Sequence, residues 1–191
     1  MRVKLTSNGY SRQFVIPAIE VRRYGFKDVD EVDVDVRGDG LLVKPADFLC
    51  FDIWTVGYEG LGIDVFVQRL KDAGIKQLAD VRELAFSRKN GFSKNALSSA
   101  LGSAGIMYAH FPELGSPSNT RHEFKSGGSW DEFLIEYKRH LATQSEAFDF
   151  LVEFTMANRT ALMCYERDPS TCHRSIIAER MAGIGFKVNH L

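Results

Sequence analysis

The chain has 191 residues and a mass of 21.5 kDa, 45% of them hydrophobic and 12% aromatic, with 24 basic against 25 acidic side chains. That much apolar material can bury a core, which excludes disorder over most of the length, and a net charge of -1 announces no nucleic-acid or membrane-surface protein. No stretch approaches the roughly 18 consecutive apolar residues of a spanning helix, Met1–Ser7 lacks the apolar core of a leader, and the three cysteines form no disulfide framework, so a cytoplasmic protein with reduced thiols and no membrane contact is expected.

The first 47 residues differ in texture from the rest. Arg2-Val3-Lys4-Leu5 alternates polar and apolar side chains as a half-buried strand does, and Phe14-Val15-Ile16 makes a second short strand stopped by Pro17. Residues 18–24 suit one or two helical turns ended by Gly25. The run from Glu31 to Arg37 alternates without a fault, Gly38-Asp39-Gly40 is a hairpin signal, and Leu41–Lys44 is the returning strand. A piece this small encloses little core alone, and with neither metal nor disulfide signalled, dimerisation is the expected remedy.

These stretches resemble the swapped-hairpin AbrB/MazE/SpoVT DNA-binding family. The resemblance is carried by Val3–Thr6, Val15-Ile16-Pro17, Arg22–Phe26, Asp30–Val34 and the hairpin through Gly38–Gly40. The chain departs from the family pattern at Glu20-Val21 and at Val29, positions that bear on DNA contacts more than on fold. The resemblance implies a two-fold dimer that lays basic arms on DNA through Arg2, Lys4, Arg12, Arg22 and Arg23. Such phosphate contacts would be sequence-independent and salt-sensitive. Up to residue 47 basic and acidic residues balance at eight each, but five of the basic ones fall within the first 23 positions and seven of the acids at or after residue 28. A basic face is therefore permitted; the bland alternative is a dimerisation module with solvated charges.

From residue 48 to 191 strands and helices alternate. Strands are expected at 51–56, 76–81, 106–109, 160–164 and 186–190, and helices at about 63–73, 93–103, 130–141, 145–157 and 173–182. Gly74, Gly105 and Gly185 sit where helices should end. The pattern argues a mainly parallel sheet with helices on both faces, a three-layer α/β domain, with residues 111–129 as a long surface loop.

Ligands bind beyond the carboxyl ends of such strands. There the chain places Tyr58, Arg82, Arg88, His110, Cys164, Glu166 and the triplet Cys172-His173-Arg174. A thiol at a helix N-terminus beside His and Arg should have a lowered pKa, which makes Cys172 a candidate nucleophile with His173, Arg174, Cys164 and Arg82 around it. Arg82, Arg88 and Arg174, with Tyr58 and Glu166, are candidates for holding an anion; pairing of the arginines with Asp80, Glu83 or Glu166 is the structural alternative. Cys164 and Cys172 are equally readable as buried core thiols. Their spacing does not match the paired spacing of structural zinc sites, so no metal and no cofactor is expected.

The second part resembles the domain-of-unknown-function 488 family. The matching residues are Thr55–Gly60, Asp80-Val81-Arg82, Ser87-Arg88, Gly91–Lys94, Gly105–Tyr108, Leu114-Gly115, Cys164-Tyr165-Glu166, Cys172-His173-Arg174 and Val188–Leu191. Glu83-Leu84-Ala85 departs from that pattern, which often has a proline near Ser-Arg. The resemblance implies an α/β fold and a shared polar cluster, and no reaction. Three readings stay open: a DNA-binding homodimer whose second domain senses a small anion or thiol, an enzyme acting on nucleic acid or a nucleotide through Cys172 or an arginine clamp, and a partner-binding scaffold.

Overall fold

In a computed structural model of the chain, residues 51–191 are described in full, and residues 6–7, 12–13, 32–37 and 40–45 by their backbone. The chain divides into two compact units, Met1–Leu49 and Cys50–Leu191. In the first, β1 (Thr6–Ser7) pairs antiparallel with β2 (Arg12–Gln13). The faultless alternation of β3 (Val32–Arg37) pairs antiparallel with β4 (Gly40–Pro45), Arg37 opposite Gly40, so only two residues join the strands. The strands expected at 2–5 and 14–16, the turns at 18–24, and Arg2, Lys4, Arg22 and Arg23 lie outside the described residues, as does the side chain of Arg12.

The second unit carries five parallel strands, β5 (Asp52–Gly57), β6 (Gln77–Asp80), β7 (Met107–His110), β8 (Thr160–Cys164) and β9 (Lys187–His190), ordered β7-β6-β8-β5-β9. Six helices accompany them: α1 (Ile63–Asp72), α2 (Lys94–Ser103), α3 (Ser118–Lys125), α4 (Trp130–Thr143), α5 (Ser145–Ala157) and α6 (His173–Gly183). Central β8 is buried along its whole length, as a strand covered on both faces must be. Its side chains alternate between two cores. Ala161 and Met163 join Trp54, Val56 and Leu78 beneath Phe66 and Leu70 of α1 and Leu97 and Leu101 of α2. Leu162 joins Ile53 and Ala79 beneath Tyr137, Leu151, Ile177 and Met181 of α4, α5 and α6. At full burial each large apolar side chain contributes about 1.5–3 kcal/mol, so both layers hold the sheet.

Gly74, Gly105 and Gly185 take left-handed φ of 68°, 71° and 105° directly after helices, the conformation for which glycine is suited. The segment 111–129, expected as a loop, instead contains a 3-10 turn at Pro112–Leu114 and the helix α3. Ser118, Asn119 and Thr120 are poor helix formers, which hides it; tertiary contact overrides them, with Phe124 against the rings of Trp130 and Phe133 and Arg121 paired with Glu83. Ser129 and Glu132 then close a reciprocal capping box at the start of α4. Among the described residues no helix is long and apolar enough to cross a membrane.

The connections decide where a site can form. Chain leaving β5 and β6 passes to the α1–α2 face, whereas chain leaving β8 passes to α6 on the opposite face. β8 lies between β5 and β6, so the connections part to opposite faces at its carboxyl end, the kind of switch point at which open parallel sheets bind ligands.

Candidate thiol and imidazole site

Two polar groups collect at that end of the sheet. The first is built on β6. Asp80 ends the strand fully buried, and Arg82 folds back so that Nε and Nη2 donate to its two carboxylate oxygens at 2.8 and 2.6 Å. Nη1 of Arg82 donates to Tyr58 Oη at 2.9 Å and to the Phe92 carbonyl at 3.0 Å. Tyr108 from β7 donates its hydroxyl to Asp80 at 2.7 Å. Tyr58 stacks on Phe92 with ring centroids 4.3 Å apart. Burial opposes the charge on Arg82, but the Asp80 and Tyr58 contacts outweigh it and hold the guanidinium more firmly protonated than usual. Burial and the Asp80 charge likewise push the Tyr108 phenol well up.

The second group lies at the end of β8 and the start of α6. Cys164 ends the strand, Cys172 is the N-cap of α6 and His173 its first residue. His173 Nδ1 lies 3.7 Å from Cys164 Sγ and 3.9 Å from Cys172 Sγ. Its Nε2 donates to the Val81 carbonyl at 2.7 Å, tying α6 to the end of β6. A carbonyl only accepts, so Nε2 carries the proton, and in the neutral ring Nδ1 faces both sulfurs with a bare lone pair. Cys164 Sγ donates to Glu166 Oε2 at 3.2 Å. Burial pushes the Glu166 carboxyl up, but hydrogen bonds from Cys172, its own amide and Cys164 outweigh it and hold the group below the usual carboxylate value. Burial lowers the His173 pKa; the Cys172 contacts and the Val81 carbonyl reverse the sign and leave it raised.

The β8–α6 segment is clamped from below. Arg174, 1% exposed, donates from Nη1 to the Glu166 carbonyl at 2.6 Å and from Nη2 to the Arg167 carbonyl at 3.0 Å, while its buried Nε has no partner. From the other side Glu59 accepts the Arg167 amide at 3.0 Å. Gly57 must lack a side chain because a methyl there would overlap the Glu166 carbonyl.

Of the residues singled out in the sequence, the structure draws Tyr58 and Arg82 into one network and Cys164, Glu166, Cys172 and His173 into another. One expectation is corrected. Cys172 at a helix N-terminus suggests a lowered thiol pKa; the side chain is 1% exposed, and burial, with Cys164 adding, pushes the thiol well up. Desolvation next to a second sulfur outweighs His173 and the helix terminus. Two of the three arginines have internal partners: Arg82 holds Asp80 and Arg174 holds two backbone carbonyls, whereas Arg88 is exposed on the β6–α2 loop. His110 donates from Nε2 to the Arg82 carbonyl at 2.8 Å and lines a cleft of about 610 Å³ with Lys94, Glu113 and Phe150; none of Tyr58, Arg82, Cys164 or Cys172 lines it. Sequence reasoning offers Asp80 as a partner for the arginines, and Arg82 takes it, but misses Tyr108 as an anchor and Val81 as the His173 acceptor. Asp80 two residues before Arg82 is a visible cue, whereas a backbone carbonyl 92 residues from its donor leaves none.

Residues 62–181 match the family model described as "Domain of unknown function DUF488". No match was found among curated proteins or among solved structures.

Proposed function

We propose, from the premise that the chain belongs to the DUF488 family, that it is a cytoplasmic DNA-binding homodimer. In this reading the segment 1–47 is an AbrB-like swapped-hairpin module, and the α/β domain is the regulatory part that it carries to DNA. Support for DNA comes from the sequence, in which Arg2, Lys4, Arg12, Arg22 and Arg23 precede nearly all the acids of that segment. Basic residues so segregated neutralise phosphates and release counterions, whatever the overall charge.

One observation favours a sensing domain over an enzyme. The groups that catalysis would need, Cys172, Arg82 and Arg174, are buried, and each is already bonded within the domain. A nucleophile must be reachable and ionised, and a phosphate clamp must have donors to spare. A buried cluster joining β6, β8 and α6 suits a domain that changes shape when its own polar groups change state.

The test is fluorescence anisotropy of a labelled duplex with the full chain over a range of salt. Binding should weaken steeply as salt rises, with a log–log slope of roughly -0.9 per phosphate neutralised. Replacing Arg2, Lys4, Arg12, Arg22 and Arg23 by Ala should flatten the slope and abolish binding. Absence of binding by the parent chain at low salt, or unchanged binding by the variant, refutes the DNA reading.

A further inference from the structure

We infer that Cys164, Cys172 and His173 form a binding site for one thiophilic divalent cation, zinc being the best fit. The three donor atoms lie within 4.8 Å of one another, and all three residues are buried. Tetrahedral zinc with sulfur at about 2.3 Å and nitrogen at about 2.0–2.1 Å places nitrogen roughly 3.5–3.6 Å from each sulfur and the two sulfurs roughly 3.8 Å apart. The observed separations of 3.7 and 3.9 Å between His173 Nδ1 and the two sulfurs are within a few tenths of the nitrogen–sulfur value. The two sulfurs lie within 4.8 Å of each other, so closing the donors on an ion is a matter of drawing the thiols together.

The support around the donors is that of a ligand set. Metal-bound histidines donate their other ring N–H to a carbonyl or carboxylate, which fixes the tautomer and aims the bare nitrogen. His173 does this, with Nε2 on the Val81 carbonyl at 2.7 Å and Nδ1 toward the sulfurs. Tyr137 meets the imidazole edge-on with centroids 5.2 Å apart, which restrains ring rotation. Glu166, with Oε2 3.2 Å from Cys164 Sγ, is placed to take up the thiol proton. Two thiolates and a neutral imidazole cancel the charge of a divalent ion, which lowers the cost of holding it in a buried place.

Binding is a ligand exchange and needs no oxidant. Each Sγ–H bond breaks heterolytically, its electron pair stays on sulfur and is donated to the cation, and two protons leave, with the Glu166 carboxylate as first acceptor. The ion would fasten the end of β8 to the start of α6, closing the segment 165–171 that Arg174 and Glu59 already hold. The site stands whether or not the N-terminal piece binds DNA.

The experiment titrates the full chain, reduced and chelator-free, with Co²⁺. One equivalent should bind, with a thiolate-to-cobalt charge-transfer absorption, tetrahedral d–d bands and release of two protons per ion; Zn²⁺ should displace it. Cys164→Ser, Cys172→Ser and His173→Gln should each weaken binding by more than the roughly 10–100-fold that loss of an outer-shell partner costs, while Cys50→Ser should not. The parent titration decides even if a variant fails to fold. A parent chain with no charge-transfer band at stoichiometric Co²⁺, or a band that survives in the Cys164→Ser/Cys172→Ser double variant, overturns the site. So does a reduced pair that ignores the cation and loses two hydrogens in mass under mild oxidation, which would make it a redox couple instead.

Discussion

His173 Nε2 donates to the Val81 carbonyl at 2.7 Å, joining the first residue of α6 to the end of β6 across the intervening end of β8. Removing the ring in His173→Ala leaves the buried Val81 carbonyl short of its donor, at a cost of about 1–3 kcal/mol besides the lost packing. His173→Gln, whose terminal amide reaches the same position, should recover part of that loss. Urea unfolding midpoints in the metal-free protein rank the three chains; equal losses for Ala and Gln would deny the hydrogen bond its role.

Asp80 and Arg82 form the other link at this end of the sheet, a two-pronged buried ion pair completed by Tyr58 and Tyr108. Asp80→Ala strands a buried guanidinium and should cost about 3–5 kcal/mol. Replacing both partners together, Asp80→Leu with Arg82→Met, should cost markedly less than the single change, because no charge is left uncompensated. Tyr108→Phe removes a donor to the Asp80 carboxylate and should cost about 1.5–3 kcal/mol. A double variant no better than Asp80→Ala would show that the pair does more than neutralise itself.

Much of this arrangement is legible in the amino-acid sequence. β8 and α5 fall where the pattern places them, because Thr160–Cys164 is a short apolar run after a helix-period stretch and nothing tertiary competes with either. Strand ends collect the polar residues as an open parallel sheet requires. The helix α3 is not legible, since its residues favour other states and contacts from Trp130, Phe133 and Glu83 stabilise it. Nor does the spacing of the cysteines mark the thiol and imidazole cluster. Cys164 and Cys172 are too far apart in sequence to resemble a zinc knuckle, and they meet because Arg174 gathers the carbonyls of Glu166 and Arg167. Helix position alone gives the wrong sign for the Cys172 pKa, because burial governs it.

Glu83 couples the β6–α2 loop to α3 by accepting from the Ser118 hydroxyl at 2.6 Å and from Arg121 Nη2 at 2.7 Å. Partial burial pushes its carboxyl up, but the Ser118 and Arg121 contacts prevail and hold it below the ordinary value of 4.5. A carboxyl depressed on folding contributes stability that is fully present above its unfolded value and is lost as pH falls through the folded one. Glu83→Gln should therefore be less stable than the parent at neutral pH, and the gap between the two chains should close as the pH is taken down into acid. Unfolding midpoints at neutral and acid pH provide the check; a gap that persists in acid would mean that the effect is steric.

Gly57 and Gly102 should respond to the same substitution with opposite signs. A methyl on Gly57 would overlap the Glu166 carbonyl and crowd Arg167 Cα, so Gly57→Ala must push away the segment that Arg174 and Glu59 hold. Forced overpacking of this kind costs about 1–3 kcal/mol. Backbone cannot yield as the far end of a side chain can, and the displaced segment carries Glu166, so Cys164 should lose its carboxylate acceptor as well. Gly102 lies inside α2, where a methyl meets nothing within 4 Å, so Gly102→Ala should stabilise the domain by about 0.5–1 kcal/mol through lower unfolded-state entropy. Thermal midpoints of the two variants should bracket the parent. A Gly57→Ala chain as stable as the parent would mean that the β8–α6 connection is loose at the place where the thiol cluster requires it to be held.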